Sequence, residues 1–156
     1  TGLVVGQRWL IQAMRRLASP NHGIGRPMKV GKEEMAGLLA AVKRYIALDH
    51  EDRRERDERV VAGWCATFNA LPGVRAARVF PNEAGQPLPR CELLIDPRQA
   101  NITRDELVAR LWDGNPRISV SADAEDTEGI LLNPMTLTDE EAHIVEQRIL
   151  SLLRGT

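Results

Sequence analysis

The sequence is poor in the groups from which most catalytic and metal centres are built. Its three histidines, His22, His50 and His143, are scattered over a loop, a charged turn and a helix, none with a carboxylate or cysteine at ligand spacing. Neither a metal site nor histidine-based catalysis is therefore expected. Two cysteines, Cys65 and Cys91, stand in different expected elements and make no CxxC pair, which fits a reduced, cytoplasmic setting. Positive charge is not in excess: 21 lysines and arginines face 22 acidic residues, so nucleic acid is not the default partner. Aromatics are 4% of the chain, and its expected strands at 74–80 and 91–96 offer only Phe80, where an RNA-reading sheet displays paired aromatics. No apolar run approaches a membrane span, and the first residues lack the order of a secretory signal, so no membrane partner is expected. An initiator methionine is also lacking. The chain opens on Thr1 and runs into "GLVVG", an apolar stretch that reads as a buried strand and needs neighbours in a sheet. With none nearby, the chain reads as the C-terminal part of something larger.

What is present fits one ordinary core, or one small domain plus a piece of another: 156 residues, 43% apolar and 28% charged. "QRWLIQAMRRLA" sets Trp9, Leu10, Ala13, Met14 and Leu17 at helical spacing, and "SPNHGIGRP" then breaks the pattern. A helix from about Lys32 carries Met35, Leu38, Leu39, Val42 and Ile46 on one stripe, which wants a packed surface beneath it. "DHEDRRERDER", with six acidic and four basic residues, reads as a solvated turn and helix start. Val60, Val61, Trp64, Phe68 and Leu71 form the apolar face of the next helix, stopped at Pro72 and Gly73.

From residue 74 the texture changes. "VRAARVF" and "CELLID" are expected strands. "ITRDELVARLWDGNP" is a helix with Thr103 and Glu106 as a capping box and Gly114 past its end. "RISVS" and "GILLN" give two more strands around the acidic turn "ADAEDTE", and "TDEEAHIVEQRILSLL" closes with a second capping box at Thr138 and Glu141. The order strand, strand, helix, strand, strand, helix predicts an α+β layer, an antiparallel sheet with helices on one face.

One stretch poses a chemical question. "GRPMKVGKEEMAGLLAAVKRY" gathers Arg26, Lys29 and Lys32 before a helix N-terminus, where cations are unfavourable unless an anion sits among them. Glu33 and Glu34 in the first turn are the bland answer. The pairs Glu33/Glu34 and Glu140/Glu141 suit the positive end of a helix without any acid–base role, and Trp64 and Trp112 fall on apolar helix faces as core residues rather than cofactor stackers. Gly23 and Gly25 follow no strand, so they do not make a dinucleotide fingerprint. The cation cluster is the only candidate site.

"TGLVVGQRWLI", then "GRPMKVGKEEMAGLLAAVKRYI", then a two-layer unit ending "ILLNPMTLTDEE", resembles the C-terminal half of a fold-type I pyridoxal-phosphate enzyme, of the group containing selenocysteine synthase (L-seryl-tRNA(Sec) selenium transferase) and D-glucosaminate-6-phosphate ammonia-lyase. The resemblance covers essentially the whole chain, with "GRPMKVGKEE" its most specific block. It implies an α/β large domain ending in residues 1–30, linking helices over 31–72, and a small α+β domain over 73–156. It implies a cofactor, pyridoxal 5'-phosphate, whose Schiff-base lysine lies a few residues before "TGLVVG". The lysines here are Lys29, Lys32 and Lys43, none at that place, so the chain alone is expected not to catalyse the family reaction. Arg26 and Lys29 match the family's anion-binding basic pair, and Thr1 and Gly2 the loop that approaches the cofactor phosphate, often that of a partner subunit. The second basic position, arginine in selenocysteine synthases, is lysine here, which points away from transfer RNA and toward a small phosphorylated or carboxylated amino compound. Implied partners are the large cofactor domain of the same protein and a second copy in a homo-oligomer. The alternatives are a non-catalytic α+β binding module and a dimerisation piece.

Overall fold

Leu3, Val4 and Val5 form no strand in the computed structural model, which describes residues 2–82, 84–121 and 129–155. All three are exposed, at 59 to 80% of their possible surface. An apolar run becomes a strand only when another backbone pairs with it, and among the described residues none does.

The chain divides into two units, Thr1–Asp49 and His50–Thr156. In the first, α1 (Arg8–Leu17) and α2 (Lys32–Ala47) are joined by a loop holding a three-residue 3-10 helix, Arg26–Met28. The loop folds back on the end of α1 and takes up its last carbonyls, which a helix terminus leaves without partners. Ala18 N donates to Met14 O at 2.9 Å, Gly25 N to Leu17 O at 2.9 Å, and Asn21 Nδ2 to Arg15 O at 3.1 Å. No residue of α1 or α2 is buried. The α2 stripe expected to lie on a packed surface is thus largely uncovered, with Met35, Leu39 and Ile46 all more than half exposed.

In the second unit, α3 (His50–Phe68) buries Val61, Trp64 and Phe68, the spacing that puts them on one face. It begins within the charged run, so that run is helix for most of its length. The helix includes residues of the expected linking segment and packs on β1 (Val74–Val79) and β2 (Arg90–Ile95). Asn69 ties the end of α3 to β1: its Nδ2 donates to Ala76 O at 2.8 Å and its Oδ1 accepts from Ala76 N at 2.9 Å. β1 and β2 are antiparallel, with Val74 opposite Ile95 and Val79 opposite Arg90, and β3 (Gly129–Leu132) adds on the far side of β2, Cys91 opposite Leu132. Along β2, Cys91, Leu93 and Ile95 are buried while Glu92 and Leu94 are half-buried, the period-2 signature of a sheet with one core face. The core joins that face to α3, α5 (Arg104–Trp112) and α6 (Asp139–Arg154).

The expected α+β unit is therefore present, but among the described residues its sheet has three strands, not four. The run 117–121 adds a single bridge, Ser121 to Leu131, while Ile118 N donates to Leu111 O at 2.9 Å. Its backbone is divided between the two: Ile118 bonds the end of α5, while Ser121 exchanges hydrogen bonds of 3.4 and 2.8 Å with Leu131 of β3 without extending into a strand. The acidic turn at 122–128 lies outside the described residues. A short helix, α4 (Pro97–Ala100), was not anticipated; the Asp96 carboxylate caps it, accepting from Arg98 N at 3.0 Å. The Thr138/Glu141 capping box is complete, whereas at α5 only Thr103 plays its part, because the Glu106 carboxylate pairs with Arg110 one turn on. Gly114 is not a left-handed terminator: only Gly73, Gly85 and Gly155 have positive φ among the described glycines. It serves instead for close approach, since an added Cβ would sit 3.2 Å from Arg148 Nη2. Trp112 departs from its expected core position; it is 49% exposed, with the Arg117 guanidinium 4.8 Å from its ring centre.

Two carboxylates make folding sensitive to acid. Glu58 accepts from Arg78 at 2.7 and 2.6 Å, and this bonding holds its carboxyl below the usual range; the Thr138 backbone N–H does the same for Glu141. A depressed folded pKa contributes stability that is complete above the unfolded value and is lost as pH falls through the folded one. Stability should therefore be level above the usual glutamate value of 4.5 and decline below it. Urea midpoints at pH 7, 5 and 3 check this, with Glu58→Gln expected to flatten the decline.

Candidate functional site

The cation cluster lies on the loop between α1 and α2. Arg26 opens the 3-10 helix, half-buried, and its Nη1 donates to Ser19 Oγ at 2.9 Å. The backbone that presents it is closely constrained. A Cβ on Gly23 would fall 2.5 Å from both Cα and O of Leu17, so no other residue fits that approach without movement of the chain. Arg26 N is itself bonded to Gly23 O at 3.0 Å, and Pro27 fixes the next φ.

Lys29 follows at the end of the 3-10 helix and is exposed. Among the described residues it makes no hydrogen bond or ion pair, and Arg26 has Ser19 as its one side-chain partner. Glu33 and Glu34 occupy the first turn of α2 behind Gly31, an N-cap with no side-chain bond. No ion pair links either of them to Arg26, Lys29 or Lys32 among the described residues. Arg26 and Lys29 thus share one short segment, and among the described residues neither charge meets a carboxylate. Gly2 lies in exposed coil with nothing within 4 Å of an added Cβ, and Thr1 lies outside the described residues. The Ser19 and Asn21 contacts were not read from the sequence; "SPN" directly after a helix was their only signal.

The second unit holds features that sequence spacing did not reveal. A pocket of about 690 Å³ is lined by Trp64, Arg90, Ile118, Leu132, Glu141 and Val145, among others. Its walls come from α3, β2, β3, α6 and the run after α5, which no single motif spans. Beside it, packing of α3 on β2 brings Cys65 and Cys91 together, Sγ to Sγ 3.7 Å, both as free thiols. Burial pushes the Cys91 thiol well above the usual thiol range, while Cys65 is only half-buried. Among the described residues no three of His, Cys, Asp or Glu converge as metal ligands, and no helix is long and apolar enough to cross a membrane.

No protein-family model matches the chain. It is 30% identical over 153 residues to a 5'-C-glycyluridine monooxygenase-decarboxylase from Streptomyces sp, an alignment covering 98% of this chain and 37% of that protein. It is 23% identical over 149 residues to a D-glucosaminate-6-phosphate ammonia lyase from Salmonella typhimurium, covering 96% of this chain and 38% of the lyase. The solved structure of a D-glucosaminate-6-phosphate ammonia-lyase superposes with a TM-score of 0.64 at 22% identity, over 86% of this chain and 35% of that one. The chain therefore spans less than two-fifths of the length of these relatives and shares its fold with a portion of a lyase.

Proposed function

We propose that this chain is the C-terminal portion of a pyridoxal-phosphate-dependent lyase or transferase acting on an amino acid or amino-sugar acid, and that Arg26 and Lys29 bind an anionic group of the substrate. The observation that carries this reading is the pair itself: two cations on a tightly tied loop, with no carboxylate against them among the described residues, in a chain aligned nearly end to end with part of an ammonia lyase. The names of both relatives describe reactions at an amino-acid unit, a glycyl group in one and an aminated sugar acid in the other. An arginine fork suits bidentate contact with carboxylate or phosphate, and Lys29 adds a point charge.

The residues present fit an anion contact but not the cofactor's covalent anchor. All three lysines lie in α2 or just ahead of it, away from the place where the resemblance puts the Schiff base. The electron-sink chemistry of the cofactor thus belongs to the rest of the longer enzyme, and this chain's share is to bind and orient the anion, with Thr1 and Gly2 near the cofactor phosphate. Residues 1–30 are on this reading the end of the large domain, 31–72 the link and 73–156 the small domain. The exposed Trp9, Met35 and Ile46 suit burial against the large domain or a second copy in a cytoplasmic homo-oligomer.

The test is made in the longer enzyme. Loss of one charge-assisted contact weakens binding by roughly 1.5 to 3 kcal/mol, more than tenfold. Arg26→Ala and Lys29→Ala should each raise the KM for the amino substrate by at least that factor, while Lys43→Ala, on the body of α2, leaves it unchanged. Equal kinetics for all three variants at equal stability would reduce the pair to a solvated flank.

A further inference from the structure

The geometry points to an oxidisable staple in the second unit: we propose that Cys65 and Cys91 form a reversible intramolecular disulfide when the protein meets a peroxide. Three observations converge on this pair. The sulfurs are 3.7 Å apart with no other group between them, already in S–H···S contact, and a disulfide bond of about 2.05 Å needs them to close by roughly half that distance. Their exposures are complementary: Cys65 reaches solvent from α3, while Cys91 is fully enclosed on β2. An oxidant therefore meets Cys65 first, with the second thiol waiting behind it. Their separation of 26 positions means the bond would close a long loop and tie a helix to the central strand.

The chemistry balances with hydrogen peroxide as the oxidant. The Cys65 thiolate attacks one peroxide oxygen, an S–O bond forms as the O–O bond breaks, and the departing hydroxide takes up a proton as water. Cys91 Sγ then attacks Cys65 Sγ; the S–S bond forms, the S–O bond breaks, and the second hydroxide leaves as water with the Cys91 proton. Two thiols lose two electrons and one peroxide becomes two waters. Trp64 and Arg90, the residues immediately before the two cysteines, both line the 690 Å³ pocket, so the bond would fix two walls of that pocket relative to each other.

The test uses the 156-residue chain. It is treated with hydrogen peroxide, alkylated under denaturing conditions and mapped by peptide mass spectrometry, with thermal unfolding followed in parallel. The expected result is one peptide pair linked through Cys65 and Cys91, loss of both alkylation sites, and a rise in Tm of more than about 5 °C that dithiothreitol reverses. Cys65→Ser, at the half-exposed member, should fold and show no rise. Oxygen addition of about 32 or 48 Da on Cys65 with Cys91 still alkylated, linkage only between two chains, or two thiols left unreacted would each overturn the proposal.

Discussion

Trp64→Ala should lower the folding stability of the second unit by about 3 to 5 kcal/mol. The ring is 3% exposed and shares its helix face with Val61 and Phe68, both fully buried. Its indole N–H donates across to Ala142 O on α6 at 3.2 Å, so one side chain joins α3 to the terminal helix as well as filling the core. Truncation loses the apolar area, the bond and the contacts around it. The void it leaves opens onto the 690 Å³ pocket, and water entering there recovers part of the cost, which sets the expectation at the lower end of that range. Trp64→Phe keeps much of the volume and loses the hydrogen bond, so it should cost less, on the order of 1 to 2 kcal/mol. Trp112→Ala is the contrast, because that ring is half in solvent under Arg117; its cost should stay below about 1.5 kcal/mol. Urea denaturation of the three variants decides the matter, and near-equal losses for the two tryptophans would contradict this account of the core.

The two tryptophans also mark where the sequence was legible. Both follow helical periodicity, and both were expected in the core; Trp64 is there because α3 packs against both the sheet and α6. Trp112 is at the last position of α5, next to buried Leu111, where the turn of the helix carries it off the core face. Periodicity finds the stripe but not its edge. The N-caps were legible because they are local: Thr103 and Thr138 each accept from the backbone three residues on, and at Thr138 the Glu141 side chain answers. Glu106, by contrast, is taken by Arg110, and Gly114 does not end α5 in a left-handed turn. The fourth strand failed because pairing is not local: the run 117–121 divides its backbone bonds between the end of α5, at Ile118, and a single bridge to β3, at Ser121. The same limit hid the thiol pair and the pocket, both made by elements far apart in the chain. The cation-bearing loop was visible because its cations, glycines and Pro27 fall within ten residues of sequence, 23–32, and what the structure adds is how that loop is tied to α1.

Gly73→Ala should be nearly as damaging as the loss of Trp64, at about 3 kcal/mol or more. Gly73 ends the connection from α3 to β1 with φ at +72°, a region in which a Cβ costs about 1 to 2 kcal/mol. Its surroundings add to this. An alanine Cβ would lie 2.6 Å from Gln99 Cβ, 2.7 Å from Ala100 N and 2.9 Å from the Gln99 carbonyl carbon. Two of those three are backbone atoms of α4, which cannot swing aside as a side-chain tip does. The carbonyl of Gly73 also accepts from Asp96 N at 2.7 Å, so the residue holds the start of β1 against the end of β2, where Val74 pairs with Ile95. Moving the chain to relieve the clash would therefore disturb the α4 cap at Asp96 and the first rung of the sheet together. Gly85 supplies the control: its φ is also +72°, but nothing lies within 4 Å of the position its Cβ would take. Gly85→Ala should show the backbone penalty alone, about 1 to 2 kcal/mol. The difference between the two variants in urea denaturation measures the steric part at α4, and equal values would mean that α4 gives way without cost and does not brace the sheet.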